Sequence, residues 1–472
     1  MSQHTAEAIP RRASWQDLWS SGLLGPFVLL CLGVWLHAAD MLVTATITPS
    51  MVDEIGGVAY VSWTISLYQV GAIIAGAASA MLCQRLSLKP VLKAATLAYG
   101  LGCVLAALAP NMAVLLAGRL VQGLGGGMLL SLCYLAIQQW FAPNLWSRLF
   151  GINAFVWGAG SLLGPLIGGV FANLHAWRAA FWLFAVQAGL LWLLASRMLP
   201  SEPAPSAAAR RWPLTPLLIL LLATLIMAES GVSGRPALAI AGCVLGAGLL
   251  YAAARVDRGS RERLLPAPLL DVRHPVGAGL LMVFALSVGT TGFWAYGPLL
   301  LRILFGTDPL FSGYVLAGEA LAWSVATLAV SAAPPSADRL LIRSGAGIVV
   351  LGAAGFAVAL PAGSLSAITL CALLQGLGFG LFWPAVVHRL VRFAHGRDQG
   401  LAAAAPSTIQ RIGYAVGTAL SGVVANACGL AEGISFTAAK GAAFWVFAAF
   451  FPVLVIAMLG AWRFTQESAA AS

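Results

Sequence analysis

Fourteen runs of about twenty mostly apolar residues follow one another along this chain, at 26–52, 58–82, 91–110, 112–140, 149–173, 177–199, 214–231, 236–254, 276–303, 309–333, 343–361, 364–388, 402–428 and 440–463. Inside hydrocarbon a backbone must satisfy its own N–H and C=O groups, which leaves helices or closed barrels. Runs of this length fit a helix crossing a bilayer and are about twice what a barrel strand needs. The predicted fold class is therefore an all-α polytopic membrane protein. Composition agrees: of 472 residues, 60% are hydrophobic and only 9% charged. A soluble surface needs about a quarter of the chain charged, so a soluble enzyme and a disordered protein are both excluded.

The charges fix an orientation. With the N-terminus inside, twenty basic residues lie on the cytoplasmic side and four (Arg178, Arg235, Arg302 and Lys440) outside, while Arg119 and Arg411 fall within spans. This asymmetry obeys the positive-inside rule and predicts an N-in, C-in chain. It also accounts for the net charge of +10, so the lipid bilayer, and no nucleic acid, is the expected partner. Residues 1–25 read as a cytoplasmic N-terminus, because the apolar stretch that follows is too long for a signal-peptide core. The expected organisation continues with a six-helix bundle over 26–199, a cytoplasmic linker at 200–213 and two inserted helices over 214–254. A basic loop at 255–275, a second six-helix bundle over 276–463 and a tail at 464–472 complete it. The seven cysteines are scattered with no C-x-x-C spacing, so neither a metal site nor a cofactor is expected.

The halves repeat. Gln122-Gly-Leu-Gly-Gly-Gly127 in span 4 recurs as Gln375-Gly-Leu-Gly-Phe-Gly380 in span 12, and Gly160-x-x-x-Gly164 in span 5 recurs as Gly413-x-x-x-Gly417 in span 13. Both matches have an offset of 253 residues (375 − 122 and 417 − 164). Small residues alone would signal close helix packing. A shared offset in consecutive spans argues in addition for two parallel repeats, which in transporters face one another across a path at the bilayer midplane.

Few ionisable groups sit inside the spans. A charge at a helix centre costs roughly 2.5–3.5 kcal/mol on insertion scales, so it normally has a function or a partner. Asp40 lies mid-span in helix 1 with His37 one turn earlier, and Glu319 lies in span 10. Removal from water favours the neutral form of a carboxylate, so such groups can load and release protons. Asp40 and Glu319 are the expected proton- and cation-sensitive pair, with Arg119 and His37 as further proton-coupling candidates. Trp35, Trp157 and Trp323, near these acids, join Asp40 and Glu319 as candidate substrate contacts through stacking or cation–π attraction. In span 5, Pro165 removes a backbone hydrogen bond among glycines, which makes a pliable helix.

Several motifs resemble those of the major facilitator superfamily, in its fourteen-helix drug:proton antiporter branch. Gly158-Ala-Gly160-Ser-Leu-Leu-Gly164-Pro165-Leu-Ile-Gly168-Gly169 resembles the antiporter motif of span 5. Leu116-Ala-Gly118-Arg119-Leu-Val-Gln122-Gly123 resembles the span 4 motif, whose arginine is linked to proton transfer. Ala39-Asp40-Met-Leu-Val-Thr44-Ala-Thr46-Ile-Thr-Pro49 is similar to the span 1 motif, and Trp177-Arg178 with Phe181 to the lead into span 6. The loop between spans 2 and 3 departs from the pattern: Gln84 stands where the family has an acidic gate residue, followed by Arg85 and Lys89. Asp338 beside Arg339 is a candidate replacement. In span 13, Gln410-Arg411 stands where the branch has Arg-Gln.

The resemblance implies a monomeric, multi-pass protein of the cytoplasmic membrane that exports lipophilic, cationic or amphipathic small molecules in exchange for protons. The proton gradient would supply the energy, and Gly160, Gly164, Pro165, Gly168 and Gly169 would form the gating element. A dedicated exporter of an endogenous metabolite or siderophore is the alternative. A receptor or a membrane enzyme is more remote, for want of a soluble domain or a clustered nucleophile.

Overall fold

The computed structural model describes residues 22–199, 214–232, 235–260, 263–331, 333–395 and 398–466. The expected linker at 200–213 and most of both expected tails lie outside the described residues. The first bundle comprises α1 (Leu24–Ile55), α2 (Val61–Leu86), α3 (Leu88–Ala107), α4 (Met112–Trp140), α5 (Pro143–Asn173) and α6 (Trp177–Met198). Two further helices, α7 (Leu214–Val232) and α8 (Pro236–Gly259), separate it from the second bundle. That bundle comprises α9 (Pro275–Phe305), α10 (Pro309–Val330), α11 (Asp338–Ala359), α12 (Leu365–Phe393), α13 (Asp398–Ala427), α14 (Phe436–Ala448) and α15 (Phe451–Phe464).

The fourteen expected crossings are all present, several of them running a few residues past the expected ends. The last is broken between α14 and α15, where Pro452 cannot donate to the preceding turn. The eleventh starts at Asp338, five residues before its apolar run, because Asp338 sits in the first turn where an acidic side chain complements the helix dipole. Among the described residues, thirteen crossings are apolar enough to span a bilayer on hydropathy alone. The exception, α13, carries Gln410 and Arg411, and is packed against α9, α2 and α7.

Each bundle is held by glycine contacts that repeat. A Cβ added at Gly123 of α4 would overlap the Tyr68 backbone of α2, and one at Gly376 of α12 would overlap the Glu319 backbone of α10. Gly164 of α5 meets Ala39 and Leu42 of α1, while Gly417 of α13 meets Val288 and Thr291 of α9. Each helix of the first bundle thus corresponds to the crossing eight later. In this correspondence Glu319 occupies the place of Tyr68, and Gly289 the place of Asp40.

The bundles meet along two seams, α2 against α13 and α5 against α10, which the repeat exchanges. Helix α7 packs on both α2 and α13, and α8 packs chiefly on α7. At the outer ends the bundles are closed on one another. Arg302 of α9 pairs with Asp53 of α1 at 2.5 Å, Asn173 donates to Asp308 at 3.1 Å, and Asn426 donates to the Ala59 carbonyl at 3.0 Å. On the side of the basic loops lies a cavity of about 1060 Å³. The two bundles are therefore joined at one end and parted on the side of the basic loops.

Candidate functional site

Asp40 and Arg119 form an ion pair within the first bundle. Arg119 Nη1 lies 2.7 Å from Asp40 Oδ2, and the two side chains are 1% and 0% exposed. Gln122, one turn beyond Arg119 on α4, closes a triangle: its Nε2 donates to Asp40 Oδ1 at 2.7 Å and its Oε1 accepts from Arg119 Nη1 at 2.6 Å. Arg119 Nε donates to the Thr64 carbonyl at 3.1 Å, and its guanidinium covers the Tyr68 ring at 4.4 Å. Such saturation is what a charge pair needs in hydrocarbon, because desolvation offsets much of the Coulomb attraction.

His37 does not bond to Asp40. Its Nδ1 lies 2.8 Å from the Tyr68 hydroxyl, its ring stacks on Tyr68 at 5.5 Å, and Trp157 meets it edge-on at 5.7 Å. Its Nε2 lies 3.5 Å from Arg411 Nη1 of α13, in the other bundle. A continuous polar and aromatic path thus runs from Asp40 through Arg119, Tyr68 and His37 to Arg411. Neither Tyr68 nor Gln122, the latter named only as part of a motif, is among the site residues expected from the sequence. Gln122 was legible, since it lies three residues from Arg119 on the same helical face, whereas Tyr68 is one aromatic residue in an apolar helix.

Glu319 stands apart from this cluster. It is 4% exposed, and its Oε2 accepts from Trp294 Nε1 at 3.0 Å. Trp323 stacks on Phe379 at 4.8 Å, within the second bundle. Trp35 donates to Gln187 of α6 at 3.1 Å, which directs it into the first bundle. The cavity is lined by none of Trp35, Asp40, Trp157, Glu319 and Trp323. Its walls come from α2, α4, α5, α7, α8, α9, α13 and the loop before α9, and among the described residues its charged side chains are Arg411 and Asp257.

The span 5 motif divides its work between two neighbours. Gly160, Gly164 and Gly168 press on α1 at Ala38, Leu42 and Thr46, all inside the first bundle. Pro165 and Gly169 face the other way, onto Gly313 and Leu310 of α10, across the seam. The repeat reproduces the second contact: Gly422, which is 253 residues after Gly169, abuts Ser62 across the α2/α13 seam. In the loop between α2 and α3, Lys89 donates to the Leu199 carbonyl at 2.8 Å and Arg85 is exposed; the Gln84 side chain lies outside the described residues. Asp338 pairs with His388 at 2.7 Å, within the second bundle. Trp177 and Arg178 both bond to Glu54, which fastens the start of α6 to the end of α1.

Two repeated six-helix bundles, meeting along exchangeable seams around a one-sided cavity, define a polytopic transporter fold. The family model of the Major Facilitator Superfamily matches residues 30–361, and the chain belongs to that superfamily. A Mycobacterium tuberculosis protein named "Probable multidrug-efflux transporter" is 30% identical over 92% of this chain and 94% of its own length. The puromycin resistance protein of Streptomyces alboniger is 29% identical over 70% of this chain and 67% of its own. Among solved structures, a D-xylose-proton symporter is similar with a TM-score of 0.66 at 17% identity, covering 94% of this chain and 97% of its own. That likeness bears on the fold alone.

Proposed function

We propose that this protein is a proton-coupled exporter of lipophilic, amphipathic small molecules, working by alternating access as a monomer in the cytoplasmic membrane. The observation that carries this reading is the buried path from the Asp40–Arg119–Gln122 triangle through Tyr68 and His37 to Arg411 on the cavity wall. A carboxylate held by an arginine can exchange that partner for a proton, and the path ends where the two bundles touch. Proton entry along a membrane potential releases about 2.3 kcal/mol per charge per 100 mV, enough to drive uphill export without a cofactor. The names of the mycobacterial and Streptomyces relatives support drug efflux. Asp40, Arg119 and His37 are the proposed coupling groups, and Glu319 a second, separate proton site.

The test uses energised inverted vesicles carrying the wild-type chain or Asp40→Asn. Addition of a transported compound from a broad amphiphile panel dissipates the pH gradient in wild type and leaves it intact in Asp40→Asn, which still inserts. Wild-type export rates in Asp40→Asn would remove that residue from the mechanism. An undisturbed gradient across the whole panel would remove antiport.

A further inference from the structure

We infer that the cavity takes amphiphiles bearing an acidic group, a carboxylate or a similar oxyanion, which docks on the Arg411 guanidinium. This rests on the transporter reading above and adds the sign of the substrate's charge. The cavity runs from the basic-loop side to mid-depth, ending at Ala72, Gly127, Phe284 and Arg411. Its sides are apolar and aromatic, with hydroxyls at Ser131, Ser407 and Thr408.

Its two charged groups differ in availability. Asp257, at the mouth, already accepts backbone N–H groups from Leu264 at 2.8 Å and Leu265 at 3.1 Å. Among the described residues Arg411 makes one side-chain hydrogen bond, to His37 Nε2 at 3.5 Å, and no carboxylate lies within ion-pair distance of it. The contrast with Arg119, which has its own carboxylate, its own amide and a backbone carbonyl, is plain. An arginine at membrane depth without an anion is costly, and its planar fork of donors matches a carboxylate in paired hydrogen bonds. A ligand acid would complete it. A cationic head would meet the guanidinium's like charge at the closed end of the cavity.

The experiment measures binding of three matched probes, biphenyl-4-carboxylate, biphenyl-4-carboxamide and biphenyl-4-yl-trimethylammonium, to the full chain in nanodiscs of neutral lipid. Wild type is expected to bind the carboxylate about 10- to 100-fold more tightly than the amide, the range of a charge-assisted hydrogen bond. The ammonium should bind most weakly. Arg411→Gln should abolish the carboxylate preference with amide affinity unchanged, and Arg411→Lys should keep part of it. Equal affinities, a preference for the ammonium, or a carboxylate preference that survives Arg411→Gln would each overturn the proposal. If Arg411→Gln does not fold, the wild-type series and Arg411→Lys decide. Proteoliposomes separate this from the exporter reading: Arg411-dependent binding without transport would sink that reading and leave the anion site standing.

Discussion

The same place in the two bundles is built from opposite materials. In the first, Asp40, Arg119 and Gln122 bond to one another, and Tyr68 lies beneath the guanidinium. In the second, the repeat puts Gly289, Ala372, Gln375 and Glu319 at those positions. There Gln375 Nε2 donates to the Thr290 carbonyl at 3.2 Å while its Oε1 has no partner among the described residues, and Glu319 is bonded to Trp294. The two halves therefore share the glycine contacts that bring helices together and differ in the ion pair. Backbone approach is a requirement of both bundles, whereas a charge inside hydrocarbon persists only where something needs it.

Substitutions at matched positions sharpen this contrast, and the largest effect is expected at Arg119. Arg119→Leu leaves Asp40 buried without its partner and should destabilise the protein by about 3–5 kcal/mol, the usual cost of breaking a buried pair on one side. The melting temperature in detergent reads this, and the double change Asp40→Asn with Arg119→Gln should recover most of the loss. An unchanged melting temperature in Arg119→Leu would mean that the pair is not as enclosed as described.

Next come the two glutamines. Gln122→Leu removes hydrogen bonds to two charged groups and should cost about 1.5–3 kcal/mol, while Gln375→Leu should cost less than about 1 kcal/mol. Equal costs would show that the halves are less different than their hydrogen bonds suggest. The glycine pair should behave in the opposite manner. Gly123→Ala and Gly376→Ala both force a methyl group into a neighbouring backbone, so each should cost about 1–3 kcal/mol. A strong change in one with none in the other would break the correspondence. The smallest effect belongs to Glu319→Gln, whose amide oxygen can still accept from Trp294. Its melting temperature should correspond to a change under about 1 kcal/mol.

Most of the architecture was legible in the sequence, because a bilayer imposes one ruler on every span and one rule on every loop. The ruler misjudged ends where helices run past the apolar stretch, as at Asp53 and Glu54 of α1 or Asp338 of α11, since a helix continues while its hydrogen bonds and caps allow. The site was half legible. Asp40 and Arg119 stand out as charges among apolar residues, and so does Glu319, but helical periodicity on single spans could not tell which of them meet. The expectation that Asp40 and Glu319 act as one pair has no contact between them to support it, and Trp35 turns toward α6. The glycines of span 5 were visible as a motif, whereas their division between α1 and α10 depends on which neighbours surround the helix.

The two added helices make the molecule lopsided. Helix α7 spans the join between α2 and α13, with Gly231 pressed onto Val423, and among the described residues no such strip crosses the join between α5 and α10. Parting the outer mouth along α5 and α10 exposes two bare edges, whereas parting it along α2 and α13 must also peel α7 from one of its supports. If the bundles rock as proposed, α7 loads one flank and not the other, like a door whose jamb carries an extra leaf.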